Sequence, residues 1–154
     1  MSHFQKFTAM IGRMCFSIIF ILSGINKIIN WNVTEQALIN AFLDSLSYTY
    51  EITWIQPIFD LLLPSASTLL IIATAMEIVG GILLFLGIQV RFAALLLCLF
   101  LIPTTYFFHH FWFLQGSERE LQMIMFLKNF ALFGGTLILI AQGKGEAKKS
   151  PKKL

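Results

Sequence analysis

Charge is scarce in this chain. Only 12% of its 154 residues are Asp, Glu, Lys or Arg, where ordinary soluble domains carry about a quarter. Cysteine is nearly absent: Cys15 and Cys98 both sit in apolar runs, which leaves no CxxC pair, no disulfide framework and no metal-ligand spacing. The sequence also lacks a Gly-rich phosphate loop, a nucleophile elbow, an HExxH pattern and a Glu-x-x-His ligand set. These absences exclude the familiar routes of autonomous catalysis, and no metal is expected. Apolar surface is what the chain has in excess. Hydrophobic residues make up 57% and Phe alone contributes 16, with a mean hydropathy of +0.78. A soluble fold of this size keeps too large a surface-to-volume ratio to hide that much. Lipid is the expected solvent.

A bilayer core about 30 Å thick needs roughly 20 apolar residues of helix. Stretches near 7–29, 68–88, 92–111 and 121–141 qualify. They predict an all-α integral membrane four-helix bundle, one membrane domain over 1–154, with a tight turn at 89–91 and a short polar loop at 112–120. The long connection, 30–67, holds two helical stretches that are too short to span. Asn32 and Glu35 stand at capping-box spacing, and Ala37, Leu38, Ala41, Phe42 and Leu46 recur at helical intervals. A second short helix is expected over 54–63, with Pro57 in its first turn and Pro64 ending it. Both suit the membrane interface, as do Trp31, Tyr48, Tyr50 and Trp54.

Basic residues set the orientation. Lys6, Arg13, Arg91 and five lysines of the tail 142–154 (Lys144, Lys148, Lys149, Lys152, Lys153) fall on one side, against Arg119 alone on the other. Loop 30–67 carries Glu35, Asp44, Glu51 and Asp60 and neither Lys nor Arg. By the positive-inside rule both termini are cytoplasmic and loop 30–67 is extracytoplasmic, in a multi-pass inner (plasma) membrane protein. The basic tail then reads as a contact to anionic lipid, and no nucleic-acid partner is expected.

Charges inside spans are costly, about 2.5–3.5 kcal/mol each on insertion scales. Glu77 lies near the middle of the second span, Lys128 in the fourth, Lys27 at the end of the first and Arg13 in its inner part. Measured along the helices, Glu77 and Lys128 lie at similar depth, which makes them the expected buried pair, with Lys27 a candidate third member. On the third span Arg91, Ala94, Cys98, Ile102, Thr105, His109 and Trp112 form one stripe. Candidate ligand-binding residues are Glu77, Lys128, Asn129, His109, Lys27 and Thr105. Structural or interfacial roles are expected for Arg13, Arg91, His110 and Trp112, and packing notches for Gly80, Gly81, Gly134 and Gly135.

Four stretches together resemble the DoxX family of small membrane proteins: 20–27 (FILSGINK), 77–91 (EIVGGILLFLGIQVR), 110–112 (HFW) and 126–135 (FLKNFALFGG). The resemblance runs from about 11 to 141. It implies a four-helix membrane bundle, with Lys27, Glu77, Arg91, His110, Lys128 and Asn129 on the family's motifs. It also implies a link to quinone-dependent sulfur oxidation, or to membrane assemblies that handle oxidants and thiols, with a membrane or periplasmic redox partner.

Two functional readings stand. In one, the chain is an accessory subunit that binds a quinone or similar lipid, because polar groups inside an aromatic shell suit a ring with carbonyls; the chain would then serve an oxidoreductase without a catalytic motif of its own. In the other, it is a non-enzymatic scaffold or chaperone that docks a partner through loop 30–67. A transporter has less support, since no pair of broken helices is evident. The orientation is directly testable. Alkaline phosphatase, active only outside the cytoplasm, is expected to be inactive when fused at Leu154 and active when fused at Ser47; the reverse pattern would overturn the assignment.

Overall fold

The computed structural model describes residues 2–142, which leaves the five tail lysines outside the described residues. The chain folds as α1 (His3–Ile29), α2 (Trp31–Tyr48), α3 (Gln56–Leu62), α4 (Ala66–Leu86), α5 (Val90–Phe108) and α6 (Gly116–Gln142), with a 3-10 turn at Phe111–Phe113. Four of these segments are long and apolar enough to cross a membrane: α1, α4, α5 with its following turn, and α6. The molecule is a membrane-spanning all-α bundle.

Local chemistry sets the ends. α1 starts earlier than its apolar run because Ser2 and Gln5 form a capping box: the Ser2 hydroxyl accepts from the Gln5 amide at 3.2 Å, and the Gln5 side chain accepts from the Ser2 amide at 2.9 Å. The box expected at Asn32 and Glu35 does not form. α2 begins directly after Asn30, so Asn32 lies inside the helix, and the Glu35 carboxylate instead accepts from the Ser67 hydroxyl on α4 at 2.5 Å. The turn between α4 and α5 falls at 87–89, two residues before the expected position. There Gly87 (φ 73°) and Gln89 (φ 45°) take left-handed conformations, and Gly87 is the residue type that does so without strain. Arg91 thus lies in the first turn of α5, not in the connection. The polar residues Ser117–Glu120, expected as loop, are the first turns of α6, where Glu118 complements the helix dipole.

α4 is the centre of the spanning region, packed on one side by α1 and on the other by α5, which in turn carries α6. Phe20, Leu84, Ala93, Leu97, Phe100 and Leu101 form its core. Small residues permit the close approaches. A Cβ on Gly80 would lie 2.9 Å from the Leu97 side chain, one on Gly81 2.9 Å from Ile21, and one on Gly135 2.6 Å from the Phe16 ring. Gly134 differs: a Cβ there would meet nothing within 4 Å, so among the described residues it makes no packing notch. The stripe expected on α5 is also partly displaced. Ile102 is 53% exposed, while Ala93, Leu97 and Leu101 are buried. A helix that is apolar all round gives periodicity little to distinguish.

Helices α2 and α3 cap one end. Phe42, Phe59 and Ala66 form a second apolar cluster, and the Phe107 ring at the end of α5 stands edge-on to Phe42 at 4.8 Å. The apolar face of α2 is therefore covered by its own bundle. Pro103 does not break α5, which continues to Phe108; the following Thr104 returns a hydroxyl hydrogen bond to the Phe100 carbonyl at 2.8 Å.

Candidate functional site

The buried carboxylate of this bundle is Glu77, 2% exposed at mid-length of α4. Its partner is Lys27, whose Nζ lies 2.6 Å from Glu77 Oε2. Helix geometry explains how residues at different heights meet. Side chains tilt toward the N-terminus of their own helix. α1 and α4 run antiparallel, with Gly24 beside Glu77 and Ile78 and, further down, Gly81 beside Ile21. Lys27 therefore leans down from the capped end while Glu77 leans up toward it. Ser23, one turn before Lys27, accepts a second hydrogen bond from Nζ at 2.7 Å. The ammonium also lies 5.4 Å from the centroid of the Phe100 ring, a cation–π distance.

Lys128 is not the partner of Glu77. It is exposed on α6, and among the described residues its Nζ makes one hydrogen bond, to Met125 Sδ at 3.5 Å. Equal depth was a misleading guide, because α4 packs chiefly on α1 and α5. Lys128 does share a cavity with the pair. This space, about 140 Å³, lies among α1, α4, α5 and α6. Lys27, Glu77, His109, Lys128 and Asn129 supply its polar groups, and Phe20, Phe100, Leu101 and Leu132 its apolar walls. Asn129 is 6% exposed. Sequence reasoning missed Ser23 and Thr104 as members of this wall. Ser23 was findable, since a residue four before Lys27 shares its helix face.

Other expected residues lie elsewhere. Thr105 faces a separate recess with Tyr106, Trp112 and Phe126, while its neighbour Thr104 faces the polar cavity. Trp112 is 42% exposed. At the uncapped end, the Arg13 guanidinium lies under the α4–α5 turn, 2.9 Å from where a Cβ on Gly87 would stand. His110 is buried and its Nδ1 lies 2.9 Å from the Phe107 carbonyl oxygen. His109 lines the polar cavity, and its Nδ1 is 2.8 Å from Gln122 Oε1. Gln122 in turn lines a second cavity at the capped end, so one hydrogen bond joins the walls of the two spaces. Among the described residues no group of three or more His, Cys, Asp or Glu could hold a metal.

The sequence pattern of DoxX matches residues 8–110. The chain belongs to the DoxX family. Lys27, Glu77, Arg91, His109 and His110 lie inside the matched stretch, and Lys128, Asn129 and the rest of α6 beyond it. The chain is similar to "Inner membrane protein YphA" of Escherichia coli (strain K12), 29% identical over 136 residues that cover 88% of this chain and 83% of that protein. It is also similar to "ER-derived vesicles protein ERV29" of Saccharomyces cerevisiae, 28% identical over 78 residues, covering 51% of this chain and 25% of that protein. No solved structure matches.

The buried Lys27–Glu77 pair makes a clear mutational forecast. Removing one member of a buried pair strands the other, typically at about 3–5 kcal/mol, whereas replacing both with apolar groups is often near neutral. Lys27→Met and Glu77→Leu are each expected to lower the melting temperature of the detergent-purified protein markedly. Combining them should restore most of the loss, and Lys128→Met should leave stability nearly unchanged. Thermal melts followed by size-exclusion chromatography provide the check.

Proposed function

We propose that this DoxX-family protein is an accessory subunit of a redox-linked membrane assembly and that it holds a quinone, or a lipid of similar build, beside the Lys27–Glu77 pair. The observation that carries this reading is the polar cavity itself: donors and acceptors converge among aromatic and aliphatic walls, inside a molecule whose spanning helices face lipid. A quinone headgroup asks for that combination, apolar faces for its ring and one or two donors at its carbonyls. Asn129 and Lys128 supply N–H donors, and His109, held through Nδ1 by Gln122, lines the same space. The fixed ion pair sets the local field. In this reading the protein binds and orients, and the bound cofactor carries the electrons. The basic tail faces the cytoplasm, and the α2–α3 cap faces the extracytoplasmic side, where a redox partner would approach.

The scaffold reading loses ground on one point. The apolar face of α2 that would serve a partner is buried against Phe59, Ala66 and Phe107, so docking through 30–67 would have to use its outer surface.

The test is direct. Solvent extraction of the purified protein followed by mass spectrometry is expected to recover a quinone, and a stripped sample should bind added quinone. Asn129→Leu with Lys128→Met should weaken that binding at least about tenfold, as the loss of two hydrogen bonds implies. Recovery of no quinone together with no binding of added quinone would overturn the proposal.

A further inference from the structure

An apolar groove of about 220 Å³ lies between α2, α3, α4 and α5, larger than the space of about 140 Å³ beside Glu77. Leu38 and Phe42 come from α2, Leu69 and Met76 from α4, and Leu99 and Phe107 from α5. Apart from Lys27, Thr34 and Thr104, every residue that lines it is apolar. Those three are already engaged. The Thr34 and Thr104 hydroxyls donate to the Asn30 and Phe100 carbonyls, at 2.9 and 2.8 Å, and Lys27 Nζ donates to Ser23 and Glu77.

What fills such a space follows from its walls. Water held inside a protein keeps about two to four polar partners, which this lining does not supply. A void is costly too, because interiors pack as densely as organic crystals and the lining of a gap forfeits its contacts. Hydrocarbon remains, and it is at hand. Ile72 and Leu99 line the groove and are 51% and 49% exposed on spanning helices, so the groove reaches the lipid-facing surface between α4 and α5. The groove also borders the polar cavity, since Lys27, Phe100 and Thr104 line both.

We infer that this groove seats the hydrocarbon tail of the ligand whose ring lies beside the Lys27–Glu77 pair. The ligand class is then a long-tailed membrane quinone and not a short, soluble one. Its ring meets donors and acceptors and its tail meets none, the division that the two adjoining spaces present. That assignment rests on the quinone reading of the polar cavity and adds the tail to it. The recess beside Thr105 also borders the polar cavity, through Leu101 and Asn129. It is smaller, about 190 Å³, and Asn129 puts a buried carboxamide on its wall, a poorer match to hydrocarbon.

The probes are tetramethylbenzoquinone and the same ring with one methyl replaced by a decyl chain. Each is titrated by native mass spectrometry against the detergent-purified full chain and against Leu99→Trp. Leu99 is half-exposed on a spanning helix, so the variant is expected to fold with the indole filling the mouth of the groove. Partition of a probe into detergent is the same for both proteins and cancels in the comparison. The tailed ring is expected to bind the variant about tenfold more weakly than the wild type, as overpacking of an occupied space implies, while the tailless ring binds both alike. A tailed ring that binds both proteins alike, or an equal loss for the two rings, would overturn the tail assignment and leave the quinone reading standing. If neither ring binds the wild type, both readings fall together. A second readout needs no variant. With a diazirine at the far end of the decyl chain, photolysis of the wild type and peptide mass spectrometry should place the label on groove residues such as Leu62 and Leu69. Label on Trp112, Phe126 or Phe130 would put the tail in the recess between α5 and α6 and overturn the assignment.

Discussion

The Lys27–Glu77 pair is the constraint around which this bundle is arranged. A carboxylate at the middle of a spanning helix requires a partner, because hydrocarbon offers nothing else to satisfy it. That requirement sets which helix lies beside α4, in which direction it runs and at what height. An antiparallel neighbour whose lysine leans back along its own axis meets it, and α1 is such a neighbour. Gly24 and Gly81 let the two backbones come close enough; a Cβ on Gly24 would press into Ile78. In lipid, where apolar contact with a neighbour gains little over contact with the bilayer, close packing and polar pairing decide association.

From this pair the rest of the arrangement acquires a polarity. Lys27 sits at the capped end of α1, so the polar cavity is displaced from mid-membrane toward α2 and α3. His109 carries the polar lining upward to Gln122, and Gln122 carries it to the cavity with Asp44, Glu118 and His110. The opposite end holds Arg13 beneath the Gly87 turn and Arg91 on the first turn of α5. The capped end is thus rich in acceptors and aromatics, and the opposite end carries Arg13 and Arg91. The α2–α3 cap belongs to the same design, since its apolar face is buried on Phe107 and leaves Asp44 and Asp60 exposed.

Much of the fold was legible in the sequence, and the reasons are physical. Long apolar runs have few alternatives once charge is scarce, so the spans were readable and their ends were the weak point. Ser2 with Gln5 carried a capping signal ahead of the apolar run that set the expected start of α1. The site was legible by residue type and only partly by pairing. Glu77, Lys27, His109, Lys128 and Asn129 do line one cavity. The pairing of Glu77 with Lys128 failed because Cα depth ignores side-chain tilt and says nothing about which helices are neighbours. Thr105 and Ile102 misled for another reason. On a helix that is apolar all round, only the few polar residues report phase, and one of two adjacent threonines had to be chosen.

The central claim is that Glu77 is an ionised carboxylate held by Lys27. Infrared spectroscopy reads that state without unfolding the protein. The difference spectrum between the wild type and Glu77→Gln, in protein labelled with ¹³C at glutamate, isolates the band of this one side chain. Loss of an ionised carboxylate stretch on substitution, shifted in position by Lys27→Arg, is the predicted result. Loss of a protonated carboxyl stretch instead, insensitive to Lys27→Arg, would contradict the account.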